Sequence, residues 1–324
     1  MSEATGNVSA NFTSGTIFVG SQNYWVYLVS VSSVNALMNL LLLIAILVTK
    51  LDRGSNRFIF IGDLAFGALV VGIANFYEGT NELLQGGLTR EKLCLPVTIL
   101  TVVGLYEANL NLMALVVDQY MVIAYPLRYH TLFSRKRAWI VSFSIFGLVV
   151  AISVSTALLW THNTTCDYIT GLPWWHHCIN FIAMLITPLV LIVILQVLTI
   201  RISRRHMRQI RNSGVCDSTS EESMLRRHWT GVITNTLICV ALILTWTPLI
   251  VIFGINIVFP GIQSMMFAKF FNYAMILYVM YGIWVPTIYS VRSPQGKTLW
   301  NRLKARYKNR QRVFCVVEVV SLDG

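Results

Sequence analysis

Charge is what this sequence has least of. Only 12% of its 324 residues are Asp, Glu, Lys or Arg, while 55% are hydrophobic. A soluble domain of that length needs far more charge to coat its surface, so a soluble globular fold is excluded. Residues 1–22 lack a basic n-region followed by an apolar core. No cleaved leader is therefore expected, and the chain inserts through its own first helix. The internal symmetry and paired interrupted helices of a transporter are also missing. Nor is there a cluster of catalytic groups. His162, His176 and His177 share one loop stretch, where solvent-exposed loop histidines are the expectation rather than a metal site. No enzymatic activity and no cofactor are expected.

What is present is a series of apolar runs, at 24–49, 58–77, 95–117, 138–160, 178–200, 231–257 and 268–291. Each is close to the ~20 residues that cross a hydrocarbon core of about 30 Å. The expected fold is an all-α membrane protein, a seven-transmembrane helix bundle. Twenty-two of the 25 Lys and Arg fall in 50–57, 118–137, 201–230 and 292–324; the opposite side holds Arg90, Lys92 and Lys269. The basic side reads as cytoplasmic. Sequons at Asn7, Asn11 and Asn163 all lie on the other side, as glycosylation sites must. The organisation is thus an extracellular glycosylated N-terminus over 1–23, the membrane domain over 24–291, and a cytoplasmic segment over 292–324. The +11 net charge then describes loops facing membrane lipids, not a nucleic-acid-binding surface.

In that last segment Leu299, Leu303 and Tyr307 recur at i, i+4, i+8 among basic residues. That spacing predicts a short amphipathic eighth helix on the membrane face. Cys315 beyond it is a site either for palmitoylation or for a free thiol. On the oxidising side Cys94, Cys166 and Cys178 compete for one bridge. Cys178 lies ten residues before Pro188, already in the upper turns of the fifth span on a rise of about 1.5 Å per residue. Cys94–Cys166 is the expected pairing, with Cys166–Cys178 its rival.

Each span carries polar or proline punctuation that bilayer helices seldom have without cause. In order these are Asn39 in "MNLLLLIAILV", "FIGDLAFGALVVG", and a third span from Cys94 to "DQY" at 118–120. Then come Pro188 in "ITPLVL", "LTWTPL" at 244–249 and "VPTIYSVRS" at 285–293. The prolines alone would read as kinks whose freed carbonyls neighbouring helices satisfy. In this order, with Cys94 placed 25 residues before Gln119, the set resembles the rhodopsin-family (class A) G-protein-coupled receptors over about residues 24–312. The resemblance implies an outward-facing ligand pocket and a cytoplasmic cleft for a heterotrimeric G protein. It places switch residues at Asp118, Gln119, Tyr120, Trp246, Pro248, Pro286 and Tyr289, and pocket residues at Thr98, Thr101, Val102, Leu105, Trp246 and Leu249.

Three positions depart from that family's pattern. Ala68 stands where a second-span aspartate is usual, and Val285 where an asparagine precedes the seventh-span proline. A hard cation held there would lose its ligands. Gln119 replaces an arginine, and glutamine cannot ion-pair with Asp118. The expectation is retained but atypical coupling through a different latch, drawn from Asp63, Glu107 or Asn111. The competing expectation is a receptor shape with impaired coupling.

Thr101 occupies the place where amine-binding members of the family carry an acid. With the apolar stretches "CLPVTILTVVGLYE", "WTPLIVIFGI" and "ILYVMYGIW", it points to a lipid-like ligand with few polar anchors. "FIGDLA", "LLWTHNTTC" and "PTIYSVRS" are similar to the cannabinoid receptors; "PLRYHTLFSRKRA" and "FNYAMILYVMYGI" to the melanocortin receptors. Ala68 and "VP" at 285–286 are similar to the bile-acid receptor, whose polar pocket Val102, Ile182 and Leu249 do not reproduce. The lysophospholipid receptors belong to the same neighbourhood. "PLRYH" is also an odorant-receptor signature, which makes chemosensation the second reading.

Overall fold

The computed structural model describes residues 22–49, 56–85, 90–160, 172–212, 219–259 and 265–292, with Asn301 and Ala305. The helices are α1 (Gln22–Thr49), α2 (Arg57–Gln85), α3 (Arg90–Ala124), the short α4 (Pro126–Leu132), α5 (Arg135–Leu159), α6 (Trp174–Asn180), α7 (Thr187–Asn212), α8 (Thr219–Val258) and α9 (Met265–Arg292). A π-helical stretch, Phe181–Ile186, joins α6 to α7. Seven of the resulting spans are long and apolar enough to cross a membrane, from 24 to 36 residues each. They match the seven expected runs. The fifth begins at Trp174, four residues before the sequence-based boundary, because Pro173 sets the entry and its carbonyl accepts from the His176 and His177 amides. Most of the proposed eighth helix, the sequons, Cys166 and Cys315 lie outside the described residues.

Helices are the forced choice here, since hydrocarbon offers a backbone no hydrogen-bond partner. Proline removes one donor and frees the carbonyl four residues earlier, and two of those carbonyls are satisfied by asparagines from other helices. Pro188 frees Met184, whose oxygen accepts Asn109 Nδ2 of α3 at 2.8 Å. Pro286 frees Gly282, whose oxygen accepts Asn39 Nδ2 of α1 at 2.9 Å. Asn39 also bonds Asn35 Oδ1 at 2.7 Å, and Asn35 reaches the Ala68 carbonyl at 3.1 Å. A polar chain therefore ties α9, α1 and α2 together inside an apolar core. Thr187 Oγ1 donates back to Ile182 O at 2.8 Å, filling the five-residue spacing of the π-helical stretch.

Small residues let the first three helices approach closely. A Cβ placed on Gly104 would stand 2.5 Å from the Gly67 carbonyl and 2.7 Å from Val71 Cγ2. One on Gly72 would stand 3.0 Å from the Ala36 amide. The main core runs from Leu28 and Phe60 through Leu112 to Leu242, Trp246 and Tyr289. A second, smaller cluster joins Val102, Tyr106 and Leu110 of α3 to Val149 of α5.

Gly104→Ala should lower thermal stability, because overpacking a tight contact costs about 1–3 kcal/mol. Gly147 has open space around it, so Gly147→Ala should leave the melting temperature unchanged or raise it, as alanine favours helix by roughly 1 kcal/mol. Thermal unfolding of the two purified variants measures the contrast.

Candidate functional site

A cluster of polar side chains forms at the end where α3 gives way to α4. Asp118 is fully buried, and its carboxylate is held from two sides. Arg57 Nε, at the start of α2, donates to Oδ2 at 3.3 Å. The Tyr129 hydroxyl, on α4, donates to Oδ1 at 2.6 Å. Tyr129 lies on the turn outside the spans. Burial, and then its bond to Asp118, hold its phenol well above the ordinary tyrosine value, so it remains a donor at neutral pH. The turn is clamped in place. Asn56 Nδ2 donates to the Phe133 carbonyl at 2.7 Å, the Phe133 ring stacks on Tyr129 with centroids 6.1 Å apart, and Phe60 supports it from α2.

Gln119, one residue on, is 1% exposed and faces the opposite way. Its side-chain carbonyl accepts a hydrogen bond from Asn235 Nδ2 on α8. The bond that joins α3 to α8 here is thus made by Gln119 and Asn235. The work of one arginine is divided: Arg57 brings the cation to Asp118, and Gln119 brings the neutral link to α8. Gln196 on α7 reinforces that region of α8 through Thr236 Oγ1 at 2.6 Å.

Of the other predicted switch residues, Trp246 is buried at 1% exposure between the edge-on rings of Tyr278, at 5.5 Å, and Tyr281, at 6.1 Å. Tyr289 is buried and meets Phe58 edge-on at 6.2 Å. Tyr120 is half-buried and meets the turn through the ring of Tyr125. Pro248 and Pro286 lie inside α8 and α9. The predicted pocket set divides. Trp246 and Leu249 share the main core, whereas Val102 packs toward α5 with Tyr106 and Val149, and Leu105 touches both clusters. Thr98 and Thr101 are half-buried. Glu107 and Asn111 are buried in the bundle interior as expected. Cys178 carries a free thiol.

One sequence expectation is corrected. His176 and His177 are not loop histidines: both are buried in α6, where His176 lies 3.3 Å from Ser155 Oγ of α5 and 3.0 Å from Asn180 Nδ2. At Ala68 and Val285 the side chains supply no ligand for a cation, as the sequence indicates. Both side chains are buried and apolar, and the Ala68 carbonyl already accepts from Asn35. Arg57 and Asn235 were the residues missed. Arg57 reads as ordinary loop charge at the border of a span, and Asn235 as a single amide inside "TGVITNTLICVAL".

The model for the 7 transmembrane receptor (rhodopsin family) matches residues 38–289. The chain belongs to that family. It is a class A G-protein-coupled receptor, a multi-pass membrane protein and not an enzyme. It is 24% identical over 283 residues to melanocortin receptor 5 of Mus musculus, covering 83% of this chain and 80% of that receptor. It is 25% identical over 280 residues to melanocortin receptor 4 of Danio rerio, with the same coverage. The cluster around Asp118 and Gln119 lies within the matched span.

Asn235→Ala should raise ligand-independent signalling. Losing a neutral buried hydrogen bond costs about 1 kcal/mol, which changes the closed-to-open ratio roughly fivefold. Basal GTPγS binding at matched surface expression measures it; an unchanged basal level would mean that the amide pair is not a latch.

Proposed function

We propose that this receptor senses a lipid-like small molecule from the extracellular side and transmits it to a heterotrimeric G protein through the Asp118–Gln119 end. The observation that carries the ligand class is the character of the interior between α8 and α9. Its buried side chains include Trp246, Leu249, Ile252, Phe271, Tyr278 and Tyr281, with Asn256, Asn272 and Thr245 as the polar members. None of these is an acid or a base. An apolar cavity wall with a few fixed polar groups selects ligands by burial and orientation rather than by ion pairing. Thr101, in place of an acid, removes the natural partner of a cationic amine. Thr98, Thr101, Leu105, Trp246 and Leu249 are the residues assigned to contact the ligand, with Val102 supporting α3 from behind.

In this reading the N-terminus is extracellular and carries glycans at Asn7 and Asn11, with a third at Asn163 between α5 and α6. Cys94–Cys166 anchors the loop above the pocket, consistent with the free thiol at Cys178. The segment after α9 lies on the inner membrane face, with Cys315 available for lipidation. Coupling is retained but atypical, because Asp118 still has a cation and α3 still has a bond to α8. The odorant-type reading keeps the signature at Pro126–His130 in its favour. The relatives' name adds melanocortins to the ligands worth testing.

Cyclic-AMP and calcium readouts in transfected cells test the ligand class. Bile acids, lysolipids, endocannabinoids, odorants, melanocortins and cationic amines form the panel. Activation by one of the lipid classes, lost in Leu249→Asn, is the expected result. Potent activation by cationic amines or melanocortins alone would overturn the lipid reading.

A further inference from the structure

The far end of α7 takes no part in the Asp118 cluster or in the ligand reading. Residues 201–212 are "RISRRHMRQIRN", with arginine but no lysine. Arg201, Arg204, Arg205 and Arg208 are all exposed. They recur at i, i+3, i+4 and i+7, which at about 3.6 residues per turn places them on one helix face. The opposite face carries Ile192, Gln196, Thr199 and Ser203, all buried. That face meets the bundle, since Gln196 Nε2 bonds Thr236 Oγ1 of α8 at 2.6 Å. The arginine face therefore points away from the bundle interior.

Along the same face, nearer the membrane centre, the surface is apolar. Val190, Ile194 and Val197 are exposed and lead into Arg201 at i, i+4, i+7 and i+11. From Arg201 to Arg208 the helix rises about 10 Å, similar to the roughly 5–8 Å headgroup layer on each side of a bilayer core. Among the described residues none of the four arginines has an acidic partner, and the salt bridge found there is Arg57–Asp118. A guanidinium offers a planar fork that fits two phosphate oxygens, whereas an ammonium offers only a point charge. One phosphate occupies one fork. Four forks on one face match a headgroup with several phosphates.

We propose that this face docks an inner-leaflet phospholipid whose headgroup bears more than one phosphate. Its acyl chain lies along Val197, Ile194 and Val190, and its phosphates meet the arginines. The leaflet rests on the orientation proposed above, whereas the ligand class sensed by the receptor does not enter. Such a lipid fixes the end of α7 to the membrane surface, just past its bond to α8.

Titration of the detergent-solubilised full-length receptor with short-chain phosphatidylinositol bisphosphate tests this, with bound lipid counted by native mass spectrometry. Short-chain phosphatidylserine and free inositol trisphosphate are parallel arms. The bisphosphate lipid should bind about tenfold more tightly than either. Arg204→Gln, Arg205→Gln and Arg208→Gln together should remove that preference, while Gly147→Ala on α5 keeps it. The corresponding triple lysine variant keeps the charge but loses the forks, so most of the preference should go; it also serves if the glutamine variant does not fold. Equal binding of phosphatidylserine would overturn the proposal, as would a lysine variant that matches the natural protein. Free inositol trisphosphate binding as tightly as the lipid would overturn the membrane source. Unchanged lipid binding in the glutamine variant, together with lost coupling, would assign the face to the G protein instead. Micelles have no sides, so these outcomes are independent of orientation. A tag within 213–218 that is accessible on intact cells would overturn the inner-leaflet placement alone.

Discussion

In a bilayer the interior must satisfy its own polar groups, and here that requirement falls on asparagine. Asn39 accepts the consequence of Pro286, Asn109 that of Pro188, and Asn235 faces Gln119. Each amide bridges two helices whose remaining contact is apolar and non-directional. Lipid is as apolar as leucine, so close van der Waals packing rather than hydrophobic burial brings the helices together, and apolar contact alone does not choose their rotation. Directional amide bonds do. The close Gly67–Gly104 approach and the Asn35–Ala68 carbonyl bond then set how α1, α2 and α3 face one another.

The Asp118 region applies the same logic to a charge. A buried carboxylate needs a cation and donors, and with glutamine at 119 the cation must come from elsewhere. Arg57 supplies it from α2, and Tyr129 completes the shell from the turn that α4 forms. This frees Gln119 to face α8. The two consequences are coupled by one substitution: the charge is anchored within the α2–α3–α4 unit, while the contact between α3 and α8 becomes neutral. A neutral amide pair is weaker than an ion pair and insensitive to salt screening. The contact between α3 and α8 at this end is therefore held by a modest, neutral bond.

Much of this was legible in the sequence. Seven apolar runs give seven spans, and Asn39, Pro188, Trp246 and Pro286 mark polar or kinked points that the fold uses. Glu107 and Asn111 face inward because charge facing lipid is expensive. The partnerships were not legible. Arg57 and Asp118 are 61 residues apart, and Asn235 and Gln119 are 116 apart. Which amide meets which depends on the rotation of each helix about its axis, and near-uniformly apolar runs carry little periodic signal for that rotation. The same ambiguity sent Val102 to the pocket list, although its face of α3 packs on α5. His176 and His177 were misplaced for a local reason: Pro173 starts the helix earlier than hydropathy alone indicates.

The central claim is that Gln119 and Asn235 form one unit holding α3 to α8. Pulsed electron–electron resonance between spin labels on the Asp118-proximal ends of those helices tests it most directly. Gln119→Ala and Asn235→Ala should each enlarge the population at long distance by a similar amount, and the double substitution should add nothing further, because the second loss has no bond left to break. Additive shifts, or a distance distribution unmoved by either substitution, would contradict the account.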